Sequence, residues 1–405
     1  MDDQSNWMVA DLHIHSRFSR ACSRNIDFEN LVKWAKIKGL NLLGVGDFTH
    51  PVWFEEIRKL KDNGKGFYYY EDFPFVISGE ISLIYTQERG RRIHLVVLVP
   101  SIETAEKINS YLDTKGRRDY DGRPIFKIPA GEFVREMMKI STDIEIIPAH
   151  IWTPWFGIFG SKSGFDSMKE AFGEQFENVH AIETGMSSDP EMNWKIKELE
   201  TKSIVSFSDA HSFWPFRLGR EATIFRKCDS YQELIKQIRE NDFIGTIETD
   251  PAYGKYHWDG HRICKFSSSP EKTKELGGIC LVCEKNLTIG VEARVNSLAN
   301  KQSDHKIKKS FYKLLPLHEL IVLLNRGGNM QTKKVWDIYD GLIREFGNEF
   351  NISLNVSKKE LIRANVSEKL VDLILKNREG KIKVKPGYDG EYGVAQLEEE
   401  QKKLF

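Results

Sequence analysis

Residues 1–250 alternate short apolar runs with longer amphipathic stretches. The short runs are Met8–His15, Asn41–Asp47, Phe75–Tyr85, Arg91–Val99, Ile144–Ile151, His180–Thr184 and Ile204–Ser208. They are rich in Val and Ile and bounded by Gly, Pro or Asp, which predicts strands. Between them, Phe28–Lys38, Trp53–Leu60, Ile102–Leu112, Gly131–Ile140, Ser167–Phe172, Pro190–Glu200 and Tyr231–Asn241 carry apolar positions at helical spacing. Alternating strands and helices predict an α/β fold with a parallel sheet, open or closed into a barrel.

The alternation ends at Asp250-Pro-Ala-Tyr-Gly254. Residues 251–300 hold a cysteine cluster and little core material, and 301–313 read as a polar, lysine-rich linker. Residues 314–377 predict two or three helices, with breaks at Gly327-Gly328 and near Asn351–Ser357. Ser357 followed by Glu360 is a capping-box signature ahead of Leu361-Ile362. A glycine-rich loop, Gly387–Gly393, follows, and a charged tail, Glu398–Phe405, is expected to fray. These shifts divide the chain into 1–250, 251–300, 301–395 and a tail, 396–405, with no internal repeat.

Charge changes the picture only locally. The 59 basic and 59 acidic residues cancel, so no global field draws the chain to nucleic acid. Residues 301–390, however, carry 18 Lys and Arg against 11 Asp and Glu, an excess that suits phosphate contacts and fits an ordinary solvated helical surface as well. No apolar run approaches the roughly 20 residues that span a bilayer. The acidic start, Met1-Asp-Asp-Gln-Ser-Asn6, is unlike a signal peptide, and the five cysteines are an odd number. The expectation is a cytosolic protein without a membrane partner.

The chemistry lies in the histidines. Six of the eleven fall with acids at the ends of apolar runs: Asp11-Leu-His13-Ile-His15, Gly46-Asp47-Phe-Thr-His50, Gly79-Glu80, His94, Pro148-Ala-His150 and Ser208-Asp209-Ala-His211. Strand periodicity puts His13 and His15 on one face, and strand C-terminal ends are where β/α barrels carry their sites. Such a set can hold two or three divalent ions, with Zn, Mn or Fe better suited than Mg alone. The ions would screen a phosphodiester, activate a water and steady the leaving oxygen, with Glu80 as a bridging carboxylate.

A second cluster has the spacing of a structural zinc. His261-Arg-Ile-Cys264 and Cys280-Leu-Val-Cys283 are two knuckles separated by fifteen residues. His257 competes with His261 for the fourth position, and Cys22 and Cys228 are expected to be buried small residues. Aromatics crowd the other ligands, in His150-Ile-Trp152-Thr-Pro-Trp155-Phe156 and His211-Ser-Phe213-Trp214-Pro-Phe216. Trp152 and Trp155 would stack on bases or cap the barrel mouth. Arg217 and Arg220 are placed to hold a phosphate.

The ordered motifs resemble the PHP (polymerase and histidinol phosphatase) metal-dependent phosphoesterases. That resemblance implies a distorted seven-stranded β/α barrel. It assigns His13, His15, Glu80 and Asp209 to one metal, Glu80, His94 and His150 to a second, and Asp47, His50 and His211 to a third. The family pattern often carries a further ligand soon after its second histidine, where this chain has Ala21, and its acid–histidine pair is stretched here to Asp47-Phe-Thr-His50. The whole chain resembles, more narrowly, the endonuclease Q family. The supporting phrases are Asp11-Leu-His-Ile-His-Ser16, Thr153-Pro-Trp155, Ser208-Asp-Ala-His-Ser212, Arg217-Leu-Gly-Arg220, Phe346-Gly347 and the zinc module after Gly254-Lys-Tyr-His257. Where members of that family carry a four-cysteine zinc site, this chain has His261.

This resemblance implies a DNA-repair endonuclease cutting 5′ to deaminated bases (hypoxanthine, uracil, xanthine) or abasic sites, leaving 3′-hydroxyl and 5′-phosphate ends. Asp209, Glu80, His211, Arg217 and Arg220 would form its catalytic set. The zinc module, the C-terminal helices and the Gly387–Gly393 loop would receive an extruded base. A histidinol-phosphate-like small-molecule phosphatase and a non-catalytic DNA-binding PHP protein are the rival readings. The sequence names no sliding-clamp or repair partner.

Overall fold

A computed structural model describes residues 4–300, 302–324 and 331–397. Gly327-Gly328 and the tail Glu398–Phe405 lie outside the described residues.

The first strand, Trp7–Asp11, is central. It runs parallel to Leu42–Gly44 and antiparallel to Ala222–Arg226. Leu42–Gly44 runs parallel to Phe73–Gln87, which turns straight back into Arg89–Val99, and Glu145–Pro148 then pairs antiparallel with Arg89–Val99. The sheet is therefore mixed, which corrects the expectation of a parallel one. For the Phe73–Gln87 and Arg89–Val99 pair the cause is the short stretch between Tyr85 and Arg91: a parallel crossover needs a dozen or more residues, whereas a hairpin needs two. Ala181–Glu183 and Ser203–Val205 form a separate parallel pair. The ladders do not close into a continuous ring. Single contacts lie at the two seams: Ile151 N–H donates to the Glu183 carbonyl at 3.2 Å, and His15 N–H donates to the Ala210 carbonyl at 3.0 Å.

Several strands escaped the pattern, among them Ala222–Arg226, Gly245–Glu248 and Ser310–Lys313 of the large sheet. Ser310–Lys313 lies in the stretch read as a linker and pairs in parallel with Gly245–Glu248. It is only partly buried, so backbone bonding forms it and no apolar alternation announces it.

The helix Phe28–Lys38 matches its predicted bounds because both ends are encoded. Asp27 accepts the Asn30 N–H, and Gly39 ends the helix at φ 99°. Its Phe28, Leu31, Val32 and Ala35 enter the main core, the larger ones contributing about 1.5–3 kcal/mol each. Among the described residues the C-terminal part has five helices rather than two or three: Leu317–Leu324, Lys333–Phe346, Glu349–Leu354, Lys358–Arg363 and Glu368–Arg378. Leu320, Ile321, Tyr339, Ile352, Leu361 and Ile374 give them a core of their own. The capping box between Ser357 and Glu360 forms.

This helical part is locked to the sheet region by buried charge. Lys38 Nζ donates to Glu349 Oε1 at 2.6 Å and to the Pro215 carbonyl at 2.8 Å. Glu349 also accepts from the Tyr339 hydroxyl and the Leu317 N–H. Residues 251–300 contribute more core than expected, since Val291 and Val295 on the helix Val291–Leu298 join the main cluster. Cys22 and Cys228 are half-buried rather than buried. No helix among the described residues is long and apolar enough to cross a membrane.

Candidate metal centre and its cleft

His13 and His15 lie just past the first strand, Glu80 in the middle of Phe73–Gln87, His94 in Arg89–Val99, and His150 and Asp209 just past two further strands. Asp47, His150 and Asp209 hold positive φ, +46°, +32° and +48°. Backbone strain of this kind concentrates at functional sites.

The imidazoles are oriented from behind. His13 Nδ1 donates to Glu183 Oε1 at 2.8 Å, and His15 Nδ1 donates to Asp47 Oδ1 at 2.9 Å. His150 Nδ1 donates to the Thr153 hydroxyl at 3.0 Å, which itself donates to the His150 carbonyl. In all three rings this leaves the Nε2 lone pair facing inward, the arrangement that sets a metal-binding tautomer.

Two sets of inward atoms result, and within each the ligand atoms all lie within 4.8 Å of one another: His13, His15, Glu80 and Asp209, and Glu80, His94 and His150. His13 Nε2 is buried without a hydrogen-bond partner, 3.6 Å from Glu80 Oε2 and 3.5 Å from Asp209 Oδ1. That is too long for a hydrogen bond. It matches the separation of about 3.4 Å between two ligands that each stand about 2.1 Å from a shared tetrahedral cation. His15 Nε2 lies 3.2 Å from Glu80 Oε2 and 2.9 Å from Asp209 Oδ1. On the other oxygen, Glu80 Oε1 faces His94 Nδ1 at 2.6 Å and His150 Nε2 at 3.1 Å, and those two nitrogens face each other at 3.4 Å. Glu80 therefore offers one oxygen to each set, and the donors fit two divalent cations.

Electrostatics agree. Burial alone would lower the His13 and His15 pKa values, but Glu183, Glu80 and Asp209 hold His13 well above the usual imidazole range, and Asp47 with Asp209 does the same for His15. Burial would raise Glu80, yet His94, Arg123 and His13 hold it well below the usual carboxylate range. Burial pushes His94 down to about 4. Protons and cations compete for these lone pairs, so occupancy is pH-dependent.

The expected third set does not assemble. Asp47 is already committed, through Oδ1 to His15 and through Oδ2 to the Ser16 N–H and hydroxyl and the Ser19 hydroxyl. His50 stacks on Phe18, ring centres 4.2 Å apart. His211 Nδ1 donates to the Asp209 carbonyl at 2.8 Å, and its ring lies beside His15. Asp47 thus supports a ligand, and Asp47, His50 and His211 are not gathered around one point.

A cleft of about 590 Å³ opens from the centre. His94, His150, Asp209 and His211 line one part, Thr153, Trp155 and Arg217 another, and Lys255, Tyr256, His257 and Tyr392 a third. Residues of the 251–300 stretch and Tyr392 of the Gly387–Gly393 loop therefore wall the cleft, whereas no described residue of the C-terminal helices does. Trp155 is 44% exposed, with the Arg92 guanidinium 5.6 Å from its ring centre. Trp152 is buried and donates Nε1–H to Asn193 Oδ1 at 2.7 Å, so it is core and cannot stack on a base. Arg220 reaches the cleft edge, but its guanidinium is committed to Glu319 at 2.7 Å and to Thr249, clasping the helical part instead of awaiting a phosphate. Proximity in sequence to a ligand located both residues but not the direction of their side chains.

His261, Cys264, Cys280 and Cys283 form the third cluster within 4.8 Å, with Cys283 Sγ 3.2 Å from His261 Nδ1. Against burial, the Val282 and Cys283 N–H groups and His261 bring the Cys280 thiol down to about 6, so it is readily a thiolate ligand. Four protein donors fit a closed tetrahedral zinc. His257 stands apart in the cleft wall, 3.7 Å from Glu292.

Sequence reasoning missed two residues here. Glu183, which holds His13 and accepts the His150 N–H, ends a predicted strand as other site residues do, and that position was a usable signal. Arg123, which pairs with Glu80, sits in an irregular segment with no signal.

A family model described as the MJ0043 C-terminal domain matches residues 316–381. The uncharacterized protein MJ0043 of Methanocaldococcus jannaschii is 33% identical over 249 residues, 60% of this chain and 31% of that protein, so the chain spans about a third of its length. The uncharacterized protein YqxK of Bacillus subtilis is 26% identical over 409 residues, covering 95% and 98% of the two chains. Among solved structures, the lesion-specific endonuclease PfuEndoQ from Pyrococcus furiosus superposes with a TM-score of 0.87 at 29% identity, covering 98% of this chain and 97% of that one. An endonuclease Q complex with a 27-mer duplex substrate carrying an abasic lesion at the active site gives the same TM-score and identity, with 97% of each chain covered. Over nearly the full length of both chains, this protein is thus similar in fold and sequence to endonuclease Q structures.

Proposed function

We propose that this protein is a DNA-repair endonuclease that hydrolyses the phosphodiester 5′ to a deaminated base (hypoxanthine, uracil or xanthine) or an abasic site. The observation that carries the reading is the Glu80-centred pair of ligand sets, opening into a cleft walled by the zinc region. Its full-length likeness to a lesion-specific endonuclease, and to one bound to abasic duplex, supports the substrate class. The strands of residues 1–250 are read as a distorted PHP barrel whose seams are the contacts at Ile151 and His15, followed by a zinc module (251–300) and a helical region (301–395).

Two divalent cations, Zn, Mn or Fe in preference to Mg alone, would lower the pKa of a water and neutralise the phosphate when bound. The chain's own part is to hold and orient. His13, His15, Glu80, Asp209, His94 and His150 supply donors, and Glu183, Asp47 and Thr153 fix the imidazole tautomers. Water oxygen bonds to phosphorus, the P–O3′ bond breaks, and a proton ends on the 3′ oxygen. His211, whose Nδ1 is held by the Asp209 carbonyl, leaves Nε2 to carry that proton. Arg217 lines the cleft, which supports its contacting the phosphate.

Tyr256, Tyr392 and Trp155, which line the cleft of about 590 Å³, would offer flat surfaces to an extruded base. Hypoxanthine and uracil both present an oxo group beside an N–H, so one donor–acceptor pair can read both. A small-molecule phosphatase would have no use for the zinc-walled extension of the cleft.

The test is incubation with Mn or Mg and end-labelled duplexes bearing one hypoxanthine, uracil or abasic site. One cut 5′ to the lesion is expected. Uncut lesion duplexes, together with turnover of a generic phosphomonoester, would replace this reading with the phosphatase one.

A further inference from the structure

Arg123 is the only Lys or Arg paired with a candidate metal ligand among the described residues. Its Nη1 donates to Glu80 Oε2 at 2.8 Å, the oxygen that also faces His13 and His15. Nothing in the two ligand sets requires it.

The segment that carries Arg123 is clamped on both sides. Gly122 N–H donates to the Phe18 carbonyl at 3.1 Å, and the Thr49 hydroxyl donates to the Gly122 carbonyl at 3.3 Å. The Pro124 carbonyl accepts the Ser82 N–H at 3.1 Å, and Ile125–Phe126 then joins Phe73–Gln87 as a parallel strand. Glycine is needed at 122 for close approach: a Cβ there would run into the Asp47 carboxylate and the Ser19 hydroxyl. The same groups that brace His15 therefore fix the backbone that delivers Arg123.

The head group is poised for an anion. Its side chain is 24% exposed, while Glu80 is fully buried. A guanidinium has five N–H donors in a planar fork, and Glu80 is its side-chain hydrogen-bond partner among the described residues. Donors are left for a second oxygen anion. Since Asp47, His50 and His211 do not form a third cation site, Arg123 is the fixed positive charge beside Glu80 and Asp209 beyond the two ligand sets.

We propose that Arg123 is a catalytic residue. One edge of its guanidinium is anchored on Glu80, and the other holds a non-bridging oxygen of the scissile phosphate. Charge on that oxygen grows as the water–phosphorus bond forms and the P–O3′ bond breaks, and a preorganised cation there favours the transition state over the ground state. A lysine, with a single point charge, cannot hold both anions in this way. The proposal rests on the endonuclease reading.

The test compares wild type with Arg123→Ala, Arg123→Gln and Arg123→Lys in single-turnover cleavage of a lesion duplex, together with metals per chain and melting temperature. The duplex is then remade with each methylphosphonate diastereomer at the cut. Expected is a rate loss of about 100-fold or more for Ala and Gln at unchanged metal content and melting temperature, with little recovery in Lys. The loss disappears on the one diastereomer that lacks the contacted oxygen. A merely structural role gives equal losses on phosphate and on both diastereomers, or loses metal along with rate. Either result overturns the proposal, as does an Ala variant within about threefold of wild type, which is far below the effect of losing one such donor. A wild-type protein that cuts no lesion duplex overturns the underlying reading instead.

Discussion

His13 Nδ1 and Glu183 Oε1 are 2.8 Å apart in the buried interior, and the other oxygen of Glu183 accepts the His150 N–H at 2.7 Å. One carboxylate thus orients a donor in each ligand set. Glu183→Gln would present an amide in its place and weaken the hold on both His13 and His150. Metal affinity, measured by competition with a chelator, should fall about 10- to 100-fold, as for other groups behind metal-bound histidines. Unchanged affinity would mean that the histidines are held by packing alone.

Asp209 faces both His13 and His15 and is part-exposed to the cleft. Asp209→Ala should abolish cleavage while leaving lesion-duplex affinity largely intact, read by gel shift alongside the cutting assay. Retained cutting would count heavily against the first ligand set.

The ligands that converge could be read because their positions are set by backbone. Strand ends and a two-residue period say where His13, His15, His150 and Asp209 must go, and the structure brings them together with Glu80 and His94, which lie within strands rather than at their ends. What could not be read is side-chain direction in irregular segments. Asp47, Arg220 and Trp152 lie next to site residues in sequence, yet turn to Ser16 and Ser19, to Glu319 and to Asn193. Each choice is made by partners far along the chain, which have no periodic signature. The mixed sheet has the same origin, since a hairpin and a crossover differ in loop length rather than in strand composition. The strand Ser310–Lys313 was hidden because an edge strand needs little apolar content.

The zinc cluster should be separable from the metal centre. Cys280→Ser removes a donor from a closed set whose metal contributes folding energy to its module. One zinc per chain should be lost by elemental analysis while the other metals stay. Lesion-duplex affinity should drop at least about tenfold, because the same region carries Lys255 and Tyr256 on the cleft wall. Full affinity in the zinc-free variant would detach the module from substrate binding.

Glu248 gives a pH signature away from the metals. Burial raises its carboxyl to about 8, against an ordinary value of 4.5, with hydroxyls of Thr184, Ser206 and Thr246 donating to it and Glu221 close by. Between those values the native state keeps a proton that the unfolded chain has released, so stability falls as pH rises from 4.5 to about 8 and levels off above. Glu248→Gln is neutral throughout. Its melting temperature should pull ahead of wild type by several degrees across that window, each kcal/mol being worth roughly 2–4 °C or less in a chain this large. Parallel melting curves from pH 5 to pH 8.5 would show that the site is not protonated as described.

The central claim is that Glu80 joins two cations whose joint presence cuts lesion DNA. Its most direct test is Mn²⁺ titrated into protein that retains only its zinc, with bound metal and cleavage of an abasic-site duplex read on the same samples. Wild type should begin to cut as the second Mn²⁺ equivalent binds, whereas Glu80→Gln should stay inactive at every concentration. Full cleavage with zinc alone, or in Glu80→Gln, would contradict it.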